Sequence, residues 1–170
     1  KRQTFMVQLP FLISADMKQA ESQEDDVSIE GMRILLAEDN ELNMEIAEFL
    51  LTNAGAEIIR ASNGKEAVEA FAKSGVGEVN VILMDIMMPV MDGLEATREI
   101  RTMNRSDASA VVIIAMTANA FTEDKTKALK SGMDDYLTKP LESEKLIRAL
   151  SRYKPVSYTH LTLPADDLLC

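Results

Sequence analysis

In 170 residues the chain has one cysteine, one histidine and no tryptophan. The cysteine is Cys170, the last residue, so disulfides and cysteine-based zinc sites are excluded. The histidine, His160, falls outside the folded core outlined below, which leaves a histidine-base mechanism without its base. No apolar run approaches the roughly 18 residues that a bilayer span needs, and no secretory leader opens the chain. The expectation is a cytoplasmic segment with no membrane contact of its own, although a longer parent could still be membrane-anchored. Cations are also scarce: 18 Lys and Arg against 28 Asp and Glu give a formal charge of −10, which repels phosphate backbones and disfavours nucleic acid as a partner. Neither a P-loop nor a dinucleotide glycine fingerprint is present, so nucleotide sites are disfavoured too.

What is present is 46% hydrophobic residues, enough for one domain with a full core and extra length at its ends. The central stretch, residues 81–93, reads VILMDIMMPVMDG. Its apolar run suits a strand buried on both faces, and Asp85 ends that run before a loop stiffened by Pro89 and closed by Asp92 and Gly93. Open α/β sheets bind ligands at the carboxyl ends of their strands. On this stretch alone, Asp85 is as readily a turn-capping acid as a chemical group.

The rest of the chain alternates strands and helices. Residues 33–37 (RILLA), 57–61 (EIIRA), 81–84, 111–116 (VVIIAM) and a short piece around Tyr136 and Leu137 read as strands. The first helix follows Asn40, a capping residue, and its apolar spacing predicts an inner face of Leu42, Ile46, Phe49 and Leu50. The second is expected to bury Ala67, Val68 and Phe71. The third is expected to bury Ala96, Ile100 and Met103, with Glu95, Arg98, Glu99 and Arg101 outward. A more polar fourth helix spans about residues 122–131, and a fifth, over 142–153, buries Leu146, Ile147 and Leu150. Strict alternation implies an α/β, doubly wound parallel sheet joined by right-handed crossovers. Five such units in about 120 residues fit the flavodoxin-like (βα)5 order 2-1-3-4-5, whose switch point lies between the first and third strands.

Strand ends then collect Glu38 and Asp39, Asp85, Thr117 and Lys139 on one edge. Clustered carboxylates repel one another, and a divalent cation with oxygen ligands relieves that repulsion. Magnesium, which favours one or two carboxylates plus phosphate oxygens, suits the set. A carboxylate nucleophile, an ammonium and a hydroxyl complete a site for a phosphoryl group carried on an acid.

With the strand followed by Glu38-Asp39-Asn40, then MDIMMPVMDG, MTAN and YLTKP, residues 32–154 resemble a response-regulator receiver domain in order and spacing. The resemblance implies two-component phosphorelay signalling. In it, Asp85 is the phosphoacceptor. Glu38, Asp39, Asp85 and the backbone carbonyl of Met87 hold Mg2+. Lys139 pairs with the phosphoryl group, ahead of a cis bond to Pro140, and Thr117 and Tyr136 act as the switch. The implied partners are the phosphodonor domain of a histidine kinase, in the same polypeptide or its dimer mate, and a histidine phosphotransfer protein.

Residues 4–10 (TFMVQLP) resemble the last strand of a histidine-kinase ATP-binding domain, so residues 1–13 read as its remnant and 14–31 as an acidic linker. With Asn43 following the acid pair, the whole resembles the C-terminal receiver of a hybrid sensor histidine kinase. No ATP-binding box is present, so no kinase activity is expected of this stretch. The tail, 155–170, contains VSYTHLTLP, which resembles a translated sequencing adapter and reads as non-native read-through, the alternative being a natural linker toward a downstream domain.

Two other functions compete with the phosphoacceptor. An aspartyl-phosphate hydrolase would want a second aspartate two residues after the nucleophile, where Met87 stands. A pseudo-receiver, a phosphorylation-independent interaction module, would typically lack an acid or the lysine, and this chain keeps them all.

Overall fold

The structure is a computed structural model that describes residues 27–119 and 122–156. The strand read at 4–10, the linker up to residue 26, and the tail from 157 onward, His160 and Cys170 included, lie outside the described residues.

The elements alternate as the sequence predicts: β1 (Arg33–Ala37), α1 (Glu41–Asn53), β2 (Glu57–Ala61), α2 (Gly64–Lys73), β3 (Val81–Asp85), α3 (Gly93–Arg101), β4 (Val112–Thr117), α4 (Thr122–Ser131), β5 (Asp135–Thr138) and α5 (Ser143–Ser151). All neighbouring strands pair in parallel, in the order β2-β1-β3-β4-β5. Every residue of β3 is buried, as befits the central strand of a sheet covered on both sides.

Three helices start on the same device. The side chains of Asn40, Asn63 and Asp92 accept a hydrogen bond from the backbone N–H three residues on, at Asn43, Glu66 and Glu95. Each such cap stabilises a helix start by about 1 kcal/mol and turns the chain sharply after the strand before it.

Two hydrophobic layers flank the sheet. On one face Leu35, Ile82, Met84, Ile113 and Ala115 pack against Ala67 and Phe71 of α2, Ala96 and Ile100 of α3, and Ala128 of α4. On the other, Ile34, Leu36, Val81, Leu83 and Ile114 meet Met44, Ala47 and Leu51 of α1 and Leu146 and Leu150 of α5. Neighbouring residues of a strand thus serve opposite layers, as the period of two requires.

The structure corrects three sequence expectations. The buried face of α1 is Met44, Ala47 and Leu51, whereas Leu42, Ile46 and Phe49 are exposed at 65%, 47% and 63%; of the expected face only Leu50 is partly covered. α1 carries two apolar stripes of helical spacing, and spacing alone does not say which one meets the sheet. Arg101 is not a solvated outward charge. Its guanidinium donates to the carbonyls of Ala108, Val111 and Gly132 and to Asp134, satisfying loop carbonyls at the foot of α4 and β5. The third correction concerns the linker. Ile29 is fully buried, Met32 N–H donates to the Ile29 carbonyl, and Lys154 Nζ reaches Ser28 Oγ at 3.2 Å. The packed unit therefore begins before Gly31.

Below Phe71, Arg105 lies 4.1 Å from the ring centroid and hydrogen-bonds Asp107 at 2.5 Å, which holds that carboxylate down at about 2.

Burial predicts that Ile29→Ala will cost about 2–5 kcal/mol of unfolding free energy, as for other buried Ile truncations. A urea titration checks this; an unchanged midpoint would place Ile29 in a dispensable linker after all.

Candidate functional site: an acid cluster at the switch point

β1 and β3 are neighbours, so their carboxyl ends deliver Glu38, Asp39 and Asp85 to one place. One carboxylate oxygen from each lies within 4.8 Å of the other two. Glu38 and Asp85 are buried and Asp39 is exposed, so the cluster has a wet side. Lys139, brought in by the turn after β5, bridges the buried pair: its Nζ donates to Asp85 Oδ2 at 2.8 Å and to Glu38 Oε2. The Lys139–Pro140 bond is cis, as expected.

These charges perturb one another. Burial raises the Asp85 carboxyl above its ordinary value, with the Glu38 charge adding to the rise and the hydrogen bond from Lys139 opposing it. Burial alone would lower Lys139, but its hydrogen bonds to Asp85 and Glu38 outweigh that and raise it. The lysine therefore stays charged while the two carboxylates remain under strain. A divalent cation seated among three oxygen ligands would supply the missing positive charge, so the donor set fits magnesium.

The loop after Asp85 is held tightly. Met87 N–H donates to Asp85 Oδ1 at 3.2 Å, and Ile86 N–H donates to the Met116 carbonyl on β4. Met91 N–H closes on the Pro89 carbonyl at 2.8 Å, a γ-turn that leaves Val90 at φ 69°. A β-branched residue occupies that region only under strain. The turn ends at Gly93, where a Cβ would lie 2.1 Å from the Asp85 carbonyl oxygen. Glycine is therefore required there by close approach, and α3 can start directly against the acid.

Thr117, at the end of β4, faces a cavity of about 150 Å³ with Asp85, Ile86, Met87, Ala118, Asp124 and Lys139. Its hydroxyl donates to the Asn119 carbonyl at 3.0 Å and accepts from Asn119 N–H. Tyr136, on β5, meets Lys125 of α4. Thus Glu38, Asp39, Asp85, Thr117 and Lys139 converge, with Met87 beside them in the cavity wall; Tyr136 is not among the residues lining that cavity and pairs with Ala115 of β4. Sequence reasoning gave no site role to Asn43, whose side-chain amide reaches Glu38 Oε1 at 3.4 Å, or to Lys125. Only the helical offset from the cap at Asn40 could have placed Asn43 beside the acid.

Comparisons with known proteins agree with this geometry. The description "response regulator receiver domain" matches residues 34–151, and the chain belongs to that family, the receivers of two-component phosphorelays. The chain is similar to hybrid signal transduction histidine kinase I of Dictyostelium discoideum, 40% identical over 121 residues, covering 70% of this chain and 7% of that protein. It is also similar to the sensor protein GacS of Pseudomonas syringae, 36% identical over 128 residues, covering 75% of this chain and 14% of that protein. The chain thus spans a small part of these relatives. Among solved structures, it is similar to the receiver domain of a Pseudomonas aeruginosa sensor histidine kinase holding a magnesium ion in its active-site cleft, with 40% identity, a TM-score of 0.66, and coverage of 72% of this chain and 97% of that one. The receiver domain of Saccharomyces cerevisiae Ssk1, in complex with the histidine phosphotransfer protein Ypd1, matches with 30% identity, a TM-score of 0.66, and coverage of 76% and 95%. Among the described residues no helix is long and apolar enough to cross a membrane.

The raised Asp85 carboxyl makes a signed prediction. A carboxyl whose folded value is raised contributes its stability fully below its unfolded value, roughly pH 4, and loses it as pH rises through the folded value. Asp85→Asn, which mimics the neutral acid, is expected to raise the metal-free melting temperature at pH 7, with the gain fading toward pH 4. Added Mg2+ should stabilise the wild type more than the variant. Calorimetry across pH, with and without Mg2+, reads both effects.

Proposed function

We propose that this receiver accepts a phosphoryl group on Asp85 from a phosphohistidine and passes it on to a histidine or to water. The observation that carries the reading is the buried bridge of Lys139 between Asp85 and Glu38 at the open end of the central strand. An Asp85 oxygen attacks phosphorus, the phosphorus–nitrogen bond to the donor imidazole breaks, and the imidazole leaves with the bond's electron pair. Lys139, already charged and within reach, moves from Glu38 onto a phosphoryl oxygen. The Thr117 hydroxyl exchanges its bond to Asn119 for another phosphoryl oxygen, and Tyr136 turns in behind it, shifting α4 and β5. Glu38, Asp39, Asp85 and the Met87 carbonyl would hold Mg2+, which supplies charge stabilisation for the transferring oxygens.

The unexpected outer stripe of α1 fits the partner. Ile46 opens onto a groove of about 380 Å³ lined by Glu38, Asn43, Ala118, Lys139, Pro140 and Leu141, and Leu42 and Phe49 continue the apolar surface away from it. A helical bundle carrying the donor or acceptor histidine would cover this stripe and bring its imidazole over Asp85; a related receiver, that of Ssk1, forms a complex with the histidine phosphotransfer protein Ypd1. Similarity to hybrid kinases supports the reading that the chain is the receiver of such a protein. The retained acids and lysine speak against a pseudo-receiver.

Intact mass after incubation with Mg2+ and a small phosphodonor is expected to show one base-labile phosphoryl adduct on the wild type and none on Asp85→Asn. An unmodified, folded wild type would instead favour the phosphorylation-independent module. Phe49→Ala with Ile46→Ala is expected to slow transfer from a phosphohistidine bundle about tenfold or more, the scale of two lost interface anchors, while the small donor still reacts. Equal slowing with both donors would count against a docking role for α1.

A further inference from the structure

The two hydroxyls assigned to the switch are each engaged elsewhere. Thr117 is tied to the Asn119 backbone, and Tyr136 is tied to Lys125. Lys125 Nζ lies 3.2 Å from the Tyr136 hydroxyl and 4.5 Å from the centroid of its ring, so one ammonium makes both a hydrogen bond and a cation–π contact. Tyr136 pairs with Ala115, two residues before Thr117, and shares its face of the sheet. Asp124, the residue before Lys125, lines the cavity over Asp85 and Lys139. The start of α4 thus touches the phosphoryl cavity with one side chain and the switch ring with the next.

Further along, α4 buries the small side chains of Ala128 and Ser131 and leaves Leu129 48% exposed, so the ring contact adds to a buried face of small residues.

We propose that Lys125 is a positioning residue that holds Tyr136 and the start of α4 in the unphosphorylated arrangement, which makes it a brake on Asp85 phosphorylation. The inference rests on the phosphoacceptor reading above. A contact made in one arrangement and lost in the other biases the equilibrium by its own worth. Turning the ring behind Thr117 takes the hydroxyl away from Lys125, so the contact belongs to the resting side. By linkage, whatever favours the resting arrangement also disfavours the phosphorylated one. Lys125 touches neither the phosphoryl cavity nor the acids. It acts only through the ring.

The test is the rate of phosphoryl uptake from acetyl phosphate with saturating Mg2+, followed by intact mass, for wild type, Lys125→Met and Lys125→Arg, each with Tyr136 intact and with Tyr136→Leu. Lys125→Met keeps the apolar stem and removes the charge, and is expected to accelerate uptake about threefold to tenfold, the scale of one exposed cation–π and hydrogen-bond contact. Lys125→Arg, which preserves both contacts, should remain near wild type. In the Tyr136→Leu background the Met substitution should have no further effect. Wild-type rates for Lys125→Met, acceleration by Lys125→Arg equal to that of Met, or an undiminished Met effect without the Tyr136 ring would each overturn the proposal. Failure of the wild type to take up phosphate would instead overturn the phosphoacceptor reading on which the brake depends. Urea midpoints of all variants separate a change in switching from a loss of fold.

Discussion

The molecule depends on one electrostatic problem and its partial solution. Parallel pairing of β1 with β3 forces two buried carboxylates, Glu38 and Asp85, to the same end of the sheet, and Lys139 supplies one positive charge between them. One cation for two buried anions leaves the site short of charge. Burial and that shortage together hold the Asp85 carboxyl above its ordinary value, and an exposed third oxygen donor at Asp39 makes the set fit a divalent ion. A phosphoryl group would enlarge the deficit again.

The surrounding structure keeps that unfavourable arrangement in place. Asn40, Asn63 and Asp92 turn strands into helices beside the cluster, and Gly93 lets α3 approach the Asp85 backbone more closely than any side chain would allow. The strained turn at Val90 is part of the same clamp. On the other side β5 is paired with β4, and polar contacts add to that pairing: Arg101 reaches Gly132 and Asp134 before β5, and Lys125 of α4 reaches Tyr136 on it.

Most of the fold was legible in the sequence because the strands are short apolar runs and every strand end carries a polar signature. The residues from Glu38 to Lys139 were found for the same reason: strand ends lie on one edge whatever the details of packing. What escaped was side-chain direction. α1 is apolar on two faces, so the stripe of Leu42, Ile46 and Phe49 has the same period as the one that packs. Arg101 has the composition of a surface residue, yet it is drawn inward by loop carbonyls that lie up to 31 residues away in sequence, which no local pattern encodes. Ile29 was lost among acidic neighbours, since one apolar residue has no periodicity. The contact between Lys125 and Tyr136 spans 11 residues and two elements, beyond any helical or strand repeat.

The packing of Ile29 also sets the geography of the chain. Ile29 enters just before β1, at the sheet edge opposite Asp85, and Lys154 leaves α5 within hydrogen-bonding distance of Ser28. Entrance and exit are therefore side by side, with the chemistry at the far pole. With both ends of the described chain at the pole opposite the chemistry, neither crosses the end of the sheet where Glu38, Asp85 and Lys139 meet.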